Sequence, residues 1–339
     1  MSDILTLGIE SSCDETSAAV VLNGRKVLSN VISTSLDLHK MYGGVVPEVA
    51  SRKHVEYIVP VIDEALRTAG VKKEELDYIG VTYGPGLLGA LLVGLSAAKA
   101  MAFSLEKTLV GVHHIEGHIS ANFLEYEELE PPFIALVASG GHSHIVYCSD
   151  YGEFKIIGRT RDDAAGEAFD KAARTMGMPY PGGVELDKVA EFGDDSAYIL
   201  PHPTVADSPY DFSFSGLKTA VINLIHNAEQ KGEEIHKENL CASFRKAVVG
   251  CLTDNLFKAA EDLGAETIVA AGGVSANALL RRELTRICDE KKFPLYVPAL
   301  SLCGDNAAMV ASQAYYEYMS GNVASSDLNA VATLPIDYR

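Results

Sequence analysis

Apolar and polar positions along the first third of the chain change in short bursts. Ile4 to Glu10, Ser17 to Leu22 and Lys26 to Thr34 read as three strands separated by polar or glycine turns, most simply a hairpin meander. From Pro47 the apolar period becomes helical as far as about Thr68, with a kink expected at Pro60. Tyr78 to Thr82 then reads as a strand, Leu88 to Leu105 as a helix, Leu109 to Val112 as a strand and His114 to Phe123 as a helix. Past the Pro131-Pro132 break the same order returns. Phe133 to Ala138, His144 to Cys148 and Phe154 to Gly158 are strands, and Ala164 to Met176 is a helix. A Pro/Gly-rich insertion over 179–215 leads to helices at Gly216 to Ala228 and Lys237 to Leu263. Strand Thr267 to Ala271, helix Asn277 to Asp289, strand Leu295 to Val297 and helix Asn306 to Met319 complete the pattern. The repeated order predicts an α/β protein of two duplicated lobes facing a cleft, the first over 1–130 and the second over 131–305. The last helix and tail, 306–339, are expected to return to the first lobe.

Length agrees with two cores: 339 residues exceed one domain of ~150, and 47% hydrophobic with 22% charged is a globular balance. A net charge of −18 argues against tight non-specific nucleic-acid binding by the chain alone. The charge is uneven. Residues 101–150 hold 7 acids and 1 base, whereas 201–300 hold 13 acids and 11 bases, so a nucleic-acid face is expected in the second half, with Lys218, Arg245, Arg281 and Arg282 as phosphate contacts. Six cysteines without a CxxC pair read as reduced thiols. The apolar run Leu87 to Leu105 contains Gly89, Gly94, Ser96 and Lys99 and fits a buried helix, not a membrane span. Met1 leads straight into a strand without a basic segment, so no secretion signal and a cytoplasmic location are expected.

Three turns carry the candidate chemistry. Glu10 to Ser17, ESSCDETS, is a run of hydroxyls and carboxylates that reads equally as a solvated turn. The matching turn of the second lobe, Ser139-Gly140-Gly141-His142, has paired glycines that let backbone N–H groups approach an anion, though such pairs also mark ordinary hairpins. Gly272-Gly273 followed by Asn277 is strand, glycine turn and helix start, the local chemistry of a nucleotide cradle. Corresponding turns in duplicated lobes resemble the actin, Hsp70 and sugar kinase (ASKHA) superfamily with its ribonuclease-H-like lobes. His114-Ile115-Glu116-Gly117-His118 puts two imidazoles on one helical face at metal-binding spacing. Glu116 follows two residues after the first histidine and so faces away, which disfavours HExxH peptidase chemistry. Asp305 reads as a third ligand or as a helix N-cap. In RDDAAGEAFDKAAR, Asp162, Asp163, Glu167 and Asp170 form an acidic face; Asp170 and Asp187 are candidates for ribose hydroxyls.

These motifs together resemble TsaD, the tRNA threonylcarbamoyladenosine transferase family once called Gcp or glycoprotease. The likeness runs through GIESSCDETSAAV from Gly8, GGVVPEVASRKH from Gly43, TYGPGLLGALLVG from Thr82, HIEGH from His114 and SGGHSH from Ser139. It continues through DDAAGEAFDKAAR from Asp162, YPGG from Tyr180, FSFSGLKTA from Phe212 and GGVSANALLR from Gly272. The resemblance implies transfer of threonylcarbamoyl from threonylcarbamoyl-AMP to N6 of the adenosine beside the anticodon in tRNAs reading ANN codons, with release of AMP. It implies iron or zinc on His114, His118 and Asp305. Val137, Ala138, Ser139, Gly140 and Gly141 would hold the phosphate and threonylcarbamoyl end, and Asp170, Gly183, Asp187 and Asn277 the adenosine. Asp14 or Glu15 would take the amine proton; the residues do not choose between them. Some archaeal relatives place a tyrosine ligand where this chain has Val137, and many relatives have Thr at Gly304. A TsaB-like paralogue and a TsaE-like ATPase are the implied partners. The competing reading is a superfamily ATPase or kinase-type regulator without a tRNA substrate, which the histidine pair argues against.

Overall fold

A computed structural model describes residues 3–337. The first sheet is built from β1 (Leu5–Glu10), β2 (Glu15–Leu22), β3 (Lys26–Thr34), β4 (Tyr78–Gly84) and β5 (Thr108–His113) in the order β3-β2-β1-β4-β5. β1 pairs antiparallel with β2, Leu7 opposite Val20 and Glu10 opposite Ser17, and parallel with β4. The meander expected from the sequence is therefore present, and β4 is buried along its whole length. Between strands run α1 (Leu36–Lys40), α2 (Pro47–Ala69), α3 (Leu88–Ser104) and α4 (His114–Ser120). Pro47 starts α2 where its missing N–H costs nothing, and Gly70, left-handed at φ 68°, ends it. Pro60 lies inside that helix, which continues through it.

One face of this sheet packs Leu7, Ile9, Val20, Ile79 and Val81 against Ile58, Val61, Ile62 and Leu95 of α2 and α3. The other face receives α11 (Ala307–Met319) through Met309, Val310, Ala311 and Ala314. That helix lies so close that a Cβ at Gly8 would come within 2.2 Å of Ala307 O, so only glycine fits this position of β1.

The second sheet has β6 (Phe133–Ala138), β7 (Ser143–Asp150), β8 (Glu153–Arg159), β9 (Ile268–Ala271) and β10 (Leu295–Tyr296) in the order β10-β9-β6-β7-β8. Read from its other edge, this order repeats the first sheet strand for strand. Its helices are α5 (Ala165–Thr175), α6 (Gly182–Ala190), α7 (Ser215–Lys231), α8 (Lys237–Leu263) and α9 (Ala278–Lys291), packed with β6 and β9 into one core; α10 (Leu300–Cys303) follows. α6 lies in what the sequence presented as an irregular insertion.

Two compact units result. One holds the described residues up to Pro131, Cys148–Lys155 and those from Pro298 onward; the other holds Pro132–Tyr147 and Ile156–Val297. The chain thus rejoins the first unit at Pro298, ahead of the expected boundary at 306, and carries Asp305 with it. Among the described residues no helix is long and apolar enough to cross a membrane.

Candidate metal centre and adenylate cradle

In the first unit β5 runs directly into α4, so His114 and His118 fall one turn apart, their ring centroids separated by 4.6 Å. Asp305 stands just ahead of Asn306, the residue whose side chain caps α11 by accepting from Met309 N. Of the two readings of Asp305, the cap therefore belongs to its neighbour. Asp305 Oδ1 lies 3.2 Å from His118 Nε2 and 3.6 Å from His114 Nε2, and one donor atom from each residue falls within 4.8 Å of the others. With Asp305 assigned by the sequence to the second lobe (131–305), the three would have had to meet across the cleft; instead all belong to one unit, because the chain has already returned to it at Pro298.

Behind His114 stands Glu10, which the sequence showed as part of a polar turn without pointing to a role for it. Its Oε2 is 3.2 Å from His114 Nδ1 and accepts from Thr82 Oγ1 at 2.7 Å, while Ser12 N donates to Oε1. Ser12 Oγ also lies 3.2 Å from His114 Nδ1. A buried carboxylate on one imidazole nitrogen, with the other nitrogen facing a donor cluster, is the usual backing of a metal-binding histidine. Neither nitrogen of His118 makes a hydrogen bond among the described residues, although Nε2 lies within ion-pair distance of Asp305. Buried donor atoms left in that condition fit one metal ion, and the triad is compatible with one.

Charge accounts for the titration behaviour here. Burial pulls His114 down, but the Asp305 and Glu10 carboxylates outweigh it and raise it to about 9. Burial pushes Glu10 up, and His114 holds it below the usual carboxylate value. Glu15 is raised to about 10, by burial first and then by the charges of Asp305 and Asp14, whose side chain it bonds. Burial and the same acids lift the Cys13 thiol. The pocket is short of positive charge, and the His114 proton supplies what a cation would. Glu116 is buried away from this cluster, where its charge acts on the Cys148 thiol.

In the second unit, Ser139 to His142 turn tightly between β6 and β7: Ser139 N donates to His142 O at 2.8 Å and His142 N to Ser139 Oγ at 3.2 Å. A Cβ on Gly140 or Gly141 would meet nothing within 4 Å, so space is open over the turn. The first turn of α5 reaches it, Gly166 N donating to Ser139 O at 3.1 Å. Val137 and Ala138 are buried in β6, so they offer only backbone. After β9, Gly272 adopts φ 85°, and a Cβ there would sit 2.4 Å from Ala138 O, a conformation and approach that require glycine.

Four of the expected adenosine residues meet as two bonded pairs. Asp170 Oδ1 accepts from Gly183 N at 2.8 Å at the start of α6, and burial raises this carboxyl against that bond. Asp187 Oδ1 accepts from Asn277 Nδ2 at 2.8 Å, and its Oδ2 from Ala278 N at 3.1 Å at the start of α9. The expectation that Arg245 contacts tRNA phosphate is corrected. It is 4% exposed and spends Nη1 on Asp187 and Glu191. Arg282 pairs with Glu191 and Arg281 Nε donates to Ser275 O, so neither is an uncommitted surface charge. The remaining acids of the RDDAAGEAFD run are structural: Asp162 accepts from Ser213, Phe214 and Ser215 at the start of α7, and Asp163 and Glu167 pair with Lys171.

The residue pattern of the family described as tRNA N6-adenosine threonylcarbamoyltransferase, TsaD, matches residues 26–312. The chain is 55% identical over 333 residues to a Clostridium botulinum (strain 657) protein of that description, covering 98% of each chain. It is 55% identical over 339 residues, all of both chains, to one from Clostridium perfringens (strain 13). Among solved structures, full-length HypF in its phosphate- and nucleotide-bound form is similar at TM-score 0.62 and 16% identity, over 94% of this chain and 46% of that one. Component A of the Acidaminococcus fermentans (R)-2-hydroxyglutaryl-CoA dehydratase is similar at TM-score 0.54 and 15% identity, over 93% and 99%. At such identities the likeness shows the fold alone, an α/β architecture with two sheets of the same strand order.

Proposed function

The chain belongs to the TsaD family of tRNA N6-adenosine threonylcarbamoyltransferases, and from that premise we propose how its two sites divide the work. It is a transferase whose substrates are tRNA and threonylcarbamoyl-AMP. In the reaction read here, N6 of the adenosine beside the anticodon of ANN-decoding tRNAs attacks the carbamate carbonyl carbon. The bond from that carbon to the phosphate oxygen breaks, AMP leaves with the electron pair, and N6 releases one proton.

The second unit holds the adenylate. Backbone N–H groups of the open Ser139–Gly141 turn, with the start of α5 beside it, suit a phosphate. Asp170 and Asp187, fixed by Gly183 and Asn277, present carboxylates to ribose and base. In the first unit His114, His118 and Asp305 hold the metal, and two imidazoles with one carboxylate suit iron(II), or zinc in its place. Such an ion, when bound, supplies a Lewis acid for the carbonyl. Asp14 and Glu15 share a hydrogen bond, and one of these two carboxyls takes the proton that N6 gives up.

A net charge of −18, and the internal pairing of Arg245 and Arg282, support a need for a TsaB-like paralogue and a TsaE-like ATPase in holding tRNA. A tRNA substrate supports a cytoplasmic setting. The kinase-type alternative is not favoured in a chain 55% identical over its full length to a threonylcarbamoyltransferase.

The donor cluster His114–His118–Asp305 is the observation that carries this reading. Elemental analysis paired with nucleoside mass spectrometry of tRNA, using purified partners and preformed adenylate, tests it. His114→Ala and Asp305→Ala are expected to lose metal and transfer, and Glu116→Gln to keep its metal. Full metal content in Asp305→Ala would sink the three-ligand assignment.

A further inference from the structure

The turn from β1 to β2 carries Asp14 and leads into Glu15, the first residue of β2, and three consecutive carbonyls of its backbone are each held by a different part of the chain. Ser12 O accepts from Leu87 N at 2.8 Å, and Asp14 O from Ser35 N at 3.1 Å and Ser35 Oγ at 2.9 Å. Cys13 O lies 2.9 Å from His54 Nε2. A carbonyl has no proton to give, so Nε2 of His54 carries the hydrogen and donates it. Nδ1, 2.7 Å from Thr16 Oγ1, then accepts from that hydroxyl. A second imidazole works by the same logic. Val46 N donates to His39 Nδ1 at 3.2 Å, so His39 Nε2 donates to Ser35 Oγ at 3.0 Å and leaves the serine proton for Asp14 O.

Both histidines are shut away from solvent, at 1% and 0% exposure. His54 occupies the apolar stripe of α2, between Ala50 and Ile58, where a leucine would pack without any polar obligation. Burial holds its imidazole below the ordinary value, in keeping with one neutral tautomer. A polar ring is kept in that stripe, with both nitrogens spent on one loop.

We propose that His54, with His39 behind Ser35, is a positioning residue for transfer. It fixes residues 13–16 from the helix side so that the Asp14–Glu15 pair keeps its place. The inference rests on the reading of Asp14 and Glu15 given above. Freeing the Cys13 carbonyl lets the loop shift by about 1 Å, a displacement that costs about 100-fold in rate when it misplaces reacting groups.

The test uses the full chain with its partner proteins, tRNA and preformed adenylate. In glutamine the amide nitrogen reaches about as far as Nε2, whereas in asparagine it stops at the level of Nδ1. His54→Ala and His54→Asn are expected to lower kcat about 100-fold, and His54→Gln to recover at least ten-fold of that. KM for the adenylate and bound metal stay at wild-type levels in all three. The proposal is overturned by glutamine doing no better than alanine, by full kcat in His54→Ala, or by KM and metal content declining together with melting temperature. Should His54→Ala fail to fold, glutamine against asparagine decides alone. Full transfer in both Asp14→Asn and Glu15→Gln overturns the underlying reading and this proposal with it. Loss in those two with full transfer in His54→Ala overturns this proposal alone.

Discussion

The Glu10 carboxylate ends β1 with no exposed surface and serves Ser12, Thr82 and His114 at once. Its effect on His114 has a definite sign with pH. In metal-free protein that imidazole is raised to about 9 from 6.5, against burial, by Asp305 and Glu10. A group raised on folding adds stability that is full below about 6.5 and is lost as pH climbs through the folded value near 9. Metal-free protein is therefore expected to melt lower as pH rises across that window. Metal affinity should rise over the same window, because the proton competes for the ligand nitrogen. Glu10→Gln removes one raising charge, so both profiles move to lower pH, and affinity falls about 10–100-fold as the imidazole loses its backing. Thermal melts and chelator competition read both effects; wild-type profiles in the variant would show that Glu10 does not act on His114. The histidine pair was legible from spacing alone. Asp305 was legible only as a ligand or a helix cap, and family likeness chose between the two, since no local pattern joins positions so far apart in sequence; Glu10 stood in a polar turn with no period to single it out. Arg245 was misread for a related reason: α8 is buried around much of its circumference, and Arg245 falls on an inward face against Asp187 and Glu191.

Among elements, α6 shows where pattern reading fails. Pro181 precedes it and Gly182-Gly183 open it, which reads as a turn, yet Asp170 accepts from the first free N–H groups and the nine residues hold as a helix. The strands were legible, and Lys26–Thr34 and Phe133–Ala138 stand where the apolar pattern ended. Asn277 joins element to site. Its Oδ1 caps α9 by accepting from Leu280 N at 3.0 Å, while its Nδ2 donates to Asp187. An alanine there removes both at once, so weaker AMP binding alone would not identify a ligand contact. Serine keeps the cap and drops the bond to Asp187. Asn277→Ala is expected to lose about 1 kcal/mol of stability, with Asn277→Ser recovering most of it. Both should bind AMP more weakly by calorimetry. Serine restoring affinity along with stability would assign Asn277 to the helix and not to the nucleotide.

At the scale of the chain, the repeated element order was legible because each half presents three strands before its helices, whereas the 3-2-1-4-5 strand order of both sheets appears only in the fold. The point of return at Pro298 was not, since nothing in Pro298 to Asp305 contrasts with what precedes it. Beyond α11 the tail runs back over the first unit and binds it through backbone. Val331 N donates to Tyr83 O at 2.8 Å, Gly86 N to Ala332 O at 3.1 Å, and His113 Nε2 lies 2.9 Å from Leu334 O. His113 directly precedes the candidate ligand His114, and Leu87, beside Gly86, donates to Ser12 O. Removing residues 331–339 would leave the buried His113 ring nitrogen and the Tyr83 carbonyl without these partners, at about 1–3 kcal/mol for each group that water cannot reach. The Tyr83–Leu87 and His113–His114 segments, which border the donor cluster, lose their fixed geometry. A chain ending at Ala330 is therefore expected to fold with a lower melting temperature, to bind metal more weakly and to transfer threonylcarbamoyl slowly. AMP affinity, which the proposed cradle assigns to the second unit, should hold at the wild-type value. Chelator competition and calorimetry on the same preparation separate the two sites; equal loss at both would mean that the tail supports the whole fold, and an unchanged metal affinity would remove it from any part in holding the centre.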